Sequence, residues 1–131
     1  MDRAWAISFV YAPSNRSQRK DFWQLLIHQA WGNRYPWLCM GDFNQVGSMW
    51  EKQGGVDCSR SQIDGFQVML SECALMDLAF KGNAFTWTNN QVGGANIRKR
   101  LDKAFVLVEW QDKFPYAQVF MKTFLALITV L

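Results

Sequence analysis

The sequence predicts a single mixed domain of the α/β class, α+β in type, and three observations carry that expectation. A stretch near the N-terminus alternates large apolar with small residues, the next segment repeats apolar residues at helical spacing, and a short, uncharged apolar run follows. Strand, helix, strand in that order favours a crossover unit packed in two or more layers. At 131 residues, half of them hydrophobic and 15% aromatic, the chain is the size of one domain and carries enough apolar side chains for a core. No internal repeat, low-complexity segment or linker divides it.

Trp5, Ile7, Phe9 and Tyr11 alternate with Ala4, Ala6, Ser8 and Val10, and Pro13-Ser14-Asn15 closes the run. This is a strand with Tyr11 and Asn15 at its C-terminal mouth. From about Ser17 to Trp31, Phe22, Leu25, Leu26 and Ala30 recur at helical spacing opposite Arg19, Lys20, Asp21 and Gln24, and Gly32-Asn33 ends the helix. Trp37 to Met40 reads as a short buried strand. Residues Gly47 to Arg60, with Gly54-Gly55, read as a long polar loop, and Ser61-Gln62-Ile63-Asp64 has the pattern of a capping box opening a second helix through Ile63, Phe66, Met69, Leu70 and Cys73. Phe85 to Thr88 and Arg100 to Leu107 read as strands around a Gly93-Gly94 turn, which makes a hairpin. The apolar end, Phe124 to Leu131, falls well short of the roughly 20 residues that cross a bilayer, so no membrane role is expected. It reads as a buried strand, or as an association surface if nothing covers it.

The net charge of +3 and pI of about 8.9 are compatible with a phosphate-rich partner without requiring one. Cys39, Cys58 and Cys73 are odd in number, with no C-x-x-C spacing and no neighbouring histidine, which argues against a zinc site or disulfide framework and for a reducing compartment. The first residues, with Asp2 and Arg3, lack the pattern of a signal peptide.

Directly behind WLCM stand Asp42 and Asn44, in Gly-Asp-x-Asn. Two readings are open: ordinary turn chemistry after a core strand, or an active-site edge. As an edge, the pair would offer a carboxylate that can accept a proton and an amide that can donate a hydrogen bond. At i and i+2 of an extended segment both side chains share one side.

The ordered series VYAPSN, WLCMGDFN, LMDL, GNAFTWTN, RKRLDKAFV and EWQDKFPYAQV closely resembles the C-terminal part of the endonuclease/exonuclease/phosphatase family, in the version carried by plant non-LTR retrotransposons. The likeness covers about residues 6 to 119. It implies part of a four-layer αββα sandwich, two mainly antiparallel sheets flanked by helices, lacking the N-terminal half and the C-terminal histidine strand. The domain would then be 1–119, with 120–131 a divergent apolar tail.

The resemblance further implies an intracellular, nuclear endonuclease that hydrolyses DNA phosphodiester bonds with Mg2+ or Mn2+. Asp42 and Asn44 match the catalytic pair and would also touch the metal, and Tyr11 matches a phosphate-binding tyrosine. Asn15 matches the following asparagine, displaced by one residue, and Arg100 would contact substrate. Asp102 matches the aspartate that fixes a catalytic histidine. That histidine does not follow Asp102 here; the single histidine, His28, lies in the first helix and reads as structural. The family's metal-binding glutamate would precede Met1, and Glu51, Glu72 and Glu109 stand in the wrong motif contexts to replace it. Little activity is therefore expected from the chain alone, together with self-association through an exposed sheet edge. A non-catalytic interaction module and a phosphatase acting on small esters are the alternatives. Trp87 reads as sheet packing and Arg98, Lys99, Arg100 and Lys103 as a solvated basic cluster; the sharper readings are base stacking and phosphate contact.

Overall fold

A computed structural model describes residues 3–122 and 125–129. The opening alternation forms β1, Ala6–Tyr11, and leads through α1, Arg16–Gly32, into β2, Trp37–Asp42, which lies parallel to β1. This is the expected crossover unit. The strand runs two residues further than Trp37–Met40, so Asp42 belongs to β2 itself. Gly41 explains how: at φ +143°, it passes so close to Val10 that a Cβ would run into the Val10 carbonyl. Only glycine lets β2 come that near β1 just before Asp42.

The stretch expected to be loop after Gly47 holds a 3₁₀ turn at Met49–Glu51 and a short strand β3, Lys52–Gln53. The second helix, α2, spans Arg60–Glu72, and its N-cap is Ser59, not Ser61. The Ser59 and Ser61 hydroxyls bond each other at 2.9 Å, so the expected capping box does not form. Short strands β4, Met76–Asp77, β5, Phe80–Gly82, and β6, Trp87–Thr88, follow. The segment read as one strand from Arg100 to Leu107 is divided. β7, Arg98–Lys99, pairs with β6 and β3, whereas β8, Asp102–Val106, pairs antiparallel with β2 and β4. The hairpin expected around Gly93-Gly94 thus pairs β6 with β7. Next come a helix unmarked by sequence, α3, Val108–Lys113, then β9, Gln118–Lys122, and β10, Leu125–Thr129. β9 crosses the boundary expected at residue 119, and β10 covers much of the apolar end; its expected burial concerns side chains outside the described residues.

Three sheets result, in the orders β1-β2-β8-β4, β10-β9-β5 and β3-β7-β6. Alternation along β2 divides the core between the two faces of the first sheet. Trp37 and Cys39 join Trp23, Leu26 and Ile27 of α1 and Phe66, Met69 and Leu70 of α2 on one face. Leu38 packs with Ala104 and Val106 against Val119 and Met121 of β9 on the other. The chain is therefore mixed α/β, with three α-helices among the described residues.

Phe66 is 1% exposed and meets Trp23, Phe43 and Phe105 with ring centroids 5.2, 5.8 and 5.9 Å away. Phe66→Ala is expected to cost about 3–5 kcal/mol of stability, read by urea denaturation; a loss under 1 kcal/mol would show that the aromatic cluster does not hold α2 to the sheet.

Candidate phosphate-binding site

Register brings three of the sequence-predicted residues into one row. Tyr11 pairs with Asp42 across β1 and β2, and Asp42 pairs with Asp102 across β2 and β8. Directly paired residues on neighbouring strands project from the same face, so a phenol and two carboxylates stand side by side at one end of the sheet. Tyr11 is 78% exposed. Asp42 is half-buried, and burial raises its pKa; the backbone N–H of Asn44 pulls it down, and the negative charge of Asp102 pushes it up again.

Asn44 departs from the extended geometry that would put it beside Asp42. It sits at φ 50°, in the left-handed region, and the chain turns there. Its N–H donates to Asp42 Oδ1 at 2.9 Å, an Asx turn, and its Nδ2 donates to the Ala12 carbonyl at 2.7 Å. The turn chemistry and the carboxylate edge are thus both present: Asp42 lies on the sheet face, while Asn44 laces the turn to the end of β1 and lines a neighbouring groove.

That groove, of about 520 Å³, is bordered by Asn44, Arg16, Arg19, Lys52, Lys99 and Trp87, with Asp57 its one acidic side chain. None of these four cations forms an ion pair with a carboxylate among the described residues. Instead they crowd one another. Burial and then Arg16 lower the Arg19 pKa, and burial followed chiefly by Lys52 lowers that of Lys99. Unneutralised like charge around a concave surface attracts a polyanion. Arg19 also donates to the Pro13 and Ser14 carbonyls, tying down the loop after β1, and Lys99 stands 5.2 Å over the Trp87 ring.

Two expected substrate residues have other work. Asn15 is the N-cap of α1, its Oδ1 accepting from the Ser17 N–H at 3.0 Å and the Ser17 hydroxyl at 2.8 Å. Arg100, read as part of a solvated basic cluster, is 1% exposed. Its guanidinium bonds Glu51 at 3.2 Å and Asp77 at 3.4 Å and lies over the rings of Phe80 and Trp50 at 4.2 and 5.6 Å. No phosphate in solvent can reach it there. Lys103, from the same basic run, is also buried, with Nζ 2.6 Å from Glu51 and 2.7 Å from the Gln45 carbonyl. His28 is exposed on α1 against Trp31, away from the row.

Sequence reasoning missed Glu51 and Thr86. The Glu51 carboxylate accepts from Gly47 N–H, Lys103 and Arg100, and so clamps the chain beyond Asn44 onto β8. The Thr86 hydroxyl accepts from the Leu101 and Asp102 N–H groups at 3.2 and 3.1 Å, which fixes the start of β8 and with it Asp102. A glutamate in a polar stretch and a threonine in an alternating one carry no signal of either role. Among the described residues, no three His, Cys, Asp or Glu side chains gather as a metal-binding group. The three cysteines are free, and burial raises the Cys39 thiol to about 12.

No protein-family model matches the chain, and no curated protein sequence matches it.

Burial lowers the Lys103 pKa to about 8 despite Glu51 beside it. The unfolded lysine keeps its proton to about 10.4. Between those values the unfolded chain binds more protons, so this group makes stability rise with pH across that window. Chemical denaturation at pH 8 and pH 10 is expected to show a change in stability that is more favourable in the wild type than in Lys103→Met, the buried thiols Cys39 and Cys73 contributing the opposite trend equally to both; equal pH dependence in the two proteins would contradict it. Lys103→Met is itself expected to cost about 3–5 kcal/mol, because it strips one of two cations from a buried carboxylate.

Proposed function

We propose that this chain carries part of a phosphodiester-hydrolysing site and grips a nucleic-acid backbone in the Arg16, Arg19, Lys52 and Lys99 groove, with DNA the substrate in the intact form. The observation that carries the reading is the Tyr11, Asp42, Asp102 row beside that uncompensated cationic groove. It agrees with the resemblance to the endonuclease/exonuclease/phosphatase family.

Asp42 is the group that accepts the proton of the attacking water. Its raised pKa suits the role, since a general base works best with a pKa nearer the operating pH. The Tyr11 hydroxyl donates to a non-bridging phosphate oxygen, and the groove cations hold the flanking phosphates. The donor set suits a hard divalent cation: the carboxylates of Asp42 and Asp102, paired across β2 and β8, are oxygen ligands, and magnesium binds through one or two carboxylates plus water and phosphate. When bound, magnesium would neutralise charge on the phosphate.

A second reading, binding without chemistry, has its own support. The Asx turn and the α1 cap give Asp42, Asn44 and Asn15 structural duties that need no substrate. Nicking of supercoiled plasmid with magnesium, for wild type and Asp42→Ala, separates the two. The first reading expects slow nicking that Asp42→Ala abolishes while DNA binding persists. Binding without nicking by either protein assigns the chain to the second reading, and neither binding nor nicking overturns both.

The groove makes its own prediction. Replacing Arg16, Lys52 and Lys99 by Glu is expected to weaken binding to a DNA oligonucleotide at least tenfold and to flatten its salt dependence, because each lost phosphate contact removes about 0.7–0.9 from the log–log slope. Fluorescence anisotropy at several salt concentrations reads both; an unchanged slope would place the nucleic acid elsewhere.

A further inference from the structure

Beside the Asn44 groove, a second cavity of about 270 Å³ opens along the seam between α1 and α2. Arg16, Arg19 and Lys20 border it from the first helix and Ser61, Gln62 and Gly65 from the second, and no described carboxylate lines it. Arg16, Arg19, Gln45 and Gln62 line the Asn44 groove as well, so the two cavities are neighbours. Among the described residues, none of the three cations forms an ion pair with a carboxylate. Trp23, its ring centroid 5.2 Å from that of Phe66, and the buried Gln45, whose Nε2 donates to the Val46 carbonyl, complete a fixed wall.

Two sequence choices at this seam work against the local structure. A helix N-terminus carries partial positive charge and favours acidic residues in its first turn. The first turn of α1 has no acid and holds Arg16 and Arg19, with Lys20 next. The first turn of α2 has no acid either, and the Ser59 side chain does not cap its N–H groups, so a second uncompensated positive end faces the same place. Gly65 lies in the interior of α2, where glycine costs a helix more than alanine does. Neither sterics nor conformation demands it: a Cβ there would meet no atom within 4 Å, and the backbone is not left-handed. Both choices weaken a helix, and both enlarge or charge one cavity. Such breaches of local preference collect at functional sites, and an anion is what converging helix N-termini and unpaired cations receive.

We infer that the seam is a second phosphate site, taking a phosphodiester of the same strand that the Asn44 groove holds. The inference rests on the reading of that groove as a nucleic-acid surface, and it gives the strand a direction: away from the Asp42 row, past Arg16 and Arg19, and over the first turns of α1 and α2. Arg16 and Arg19 border both cavities and so stand between successive phosphates, whereas Lys20, Ser61 and Gly65 line the seam alone. Lys20 supplies charge, Ser61 a hydroxyl, and the bare Gly65 lets a sugar–phosphate backbone come close to the helix. A separate small phosphate would need no connection to the groove. The shared border is what favours one continuous strand.

The open space at Gly65 supplies the test. Gly65→Glu puts a carboxylate into the seam without a steric clash, and Val68→Glu puts the same charge on α2 at an exposed position that does not line the seam. Binding of a labelled single-stranded DNA oligonucleotide is read by fluorescence anisotropy at several salt concentrations. Gly65→Glu is expected to weaken binding about tenfold or more and Val68→Glu far less, because only the first removes a phosphate contact. Gly65→Ala is expected to bind like the wild type and to melt no lower, which shows that the loss comes from the charge and not from the helix. Lys20→Gln is expected to reduce the log–log salt slope by about 0.7, the share of one single-strand phosphate. Equal losses in Gly65→Glu and Val68→Glu, no loss in either, or an unchanged slope in Lys20→Gln overturns the seam site. The groove reading survives that result if replacing Lys52 and Lys99, which line the groove alone, by Glu still weakens binding. A wild type that binds no DNA overturns the groove and the seam together.

Discussion

The Glu51 carboxylate is the interaction on which the rest of this structure depends. It is buried, and it accepts from Lys103 at 2.6 Å, Arg100 at 3.2 Å and the Gly47 N–H at 2.8 Å. These contacts gather three separate pieces: the chain leaving the Asp42–Asn44 turn, the start of β8, and, through Arg100, Asp77 of β4. Burying charge is costly, and the cost is offset only while every member keeps its partners. The network therefore holds one geometry, the one in which Asp42 and Asp102 face each other across β2 and β8.

The two sides of the molecule present opposite chemistry for a common reason. Charge that is neutralised internally is drawn into the Glu51 network, whereas Arg16, Arg19, Lys52 and Lys99 around the Asn44 groove form no ion pair among the described residues, although Asp57 lines the same groove. The β1 edge carries no charge at all. One surface is thus cationic and the other apolar and neutral, and Tyr11 stands at the end of β1 beside Asp42.

Much of this was legible in the sequence where local pattern and tertiary contact agree. β1 alternates because α1 covers one of its faces, and α1 and α2 show helical spacing because each lays a stripe on the same sheet. Tyr11, Asp42 and Asp102 were identified singly, but their alignment depends on register between strands distant in sequence, which no local pattern encodes. The basic run Arg98 to Lys103 misled for a definite reason. Charged residues are read as solvated, whereas Arg100 and Lys103 are inside because a glutamate some fifty positions away meets them. The same burial divides that run into β7 and β8, since Arg100 turns inward between them. Ser59 displaced Ser61 as the cap of α2 because the helix begins two residues before the pattern suggested, a boundary that capping motifs alone fix poorly.

The central claim is that the Asn44 groove receives a phosphodiester backbone next to the Asp42 carboxylate. The most direct measurement is a nuclear magnetic resonance titration of the labelled protein with a short DNA strand, following backbone amides residue by residue. Saturable shifts concentrated at Arg16, Asn44, Lys52, Trp87, Lys99 and the Asp42 row, diminishing as salt is raised, are the predicted result. Shifts elsewhere on the surface, or none at strand concentrations well above the protein's, would contradict it.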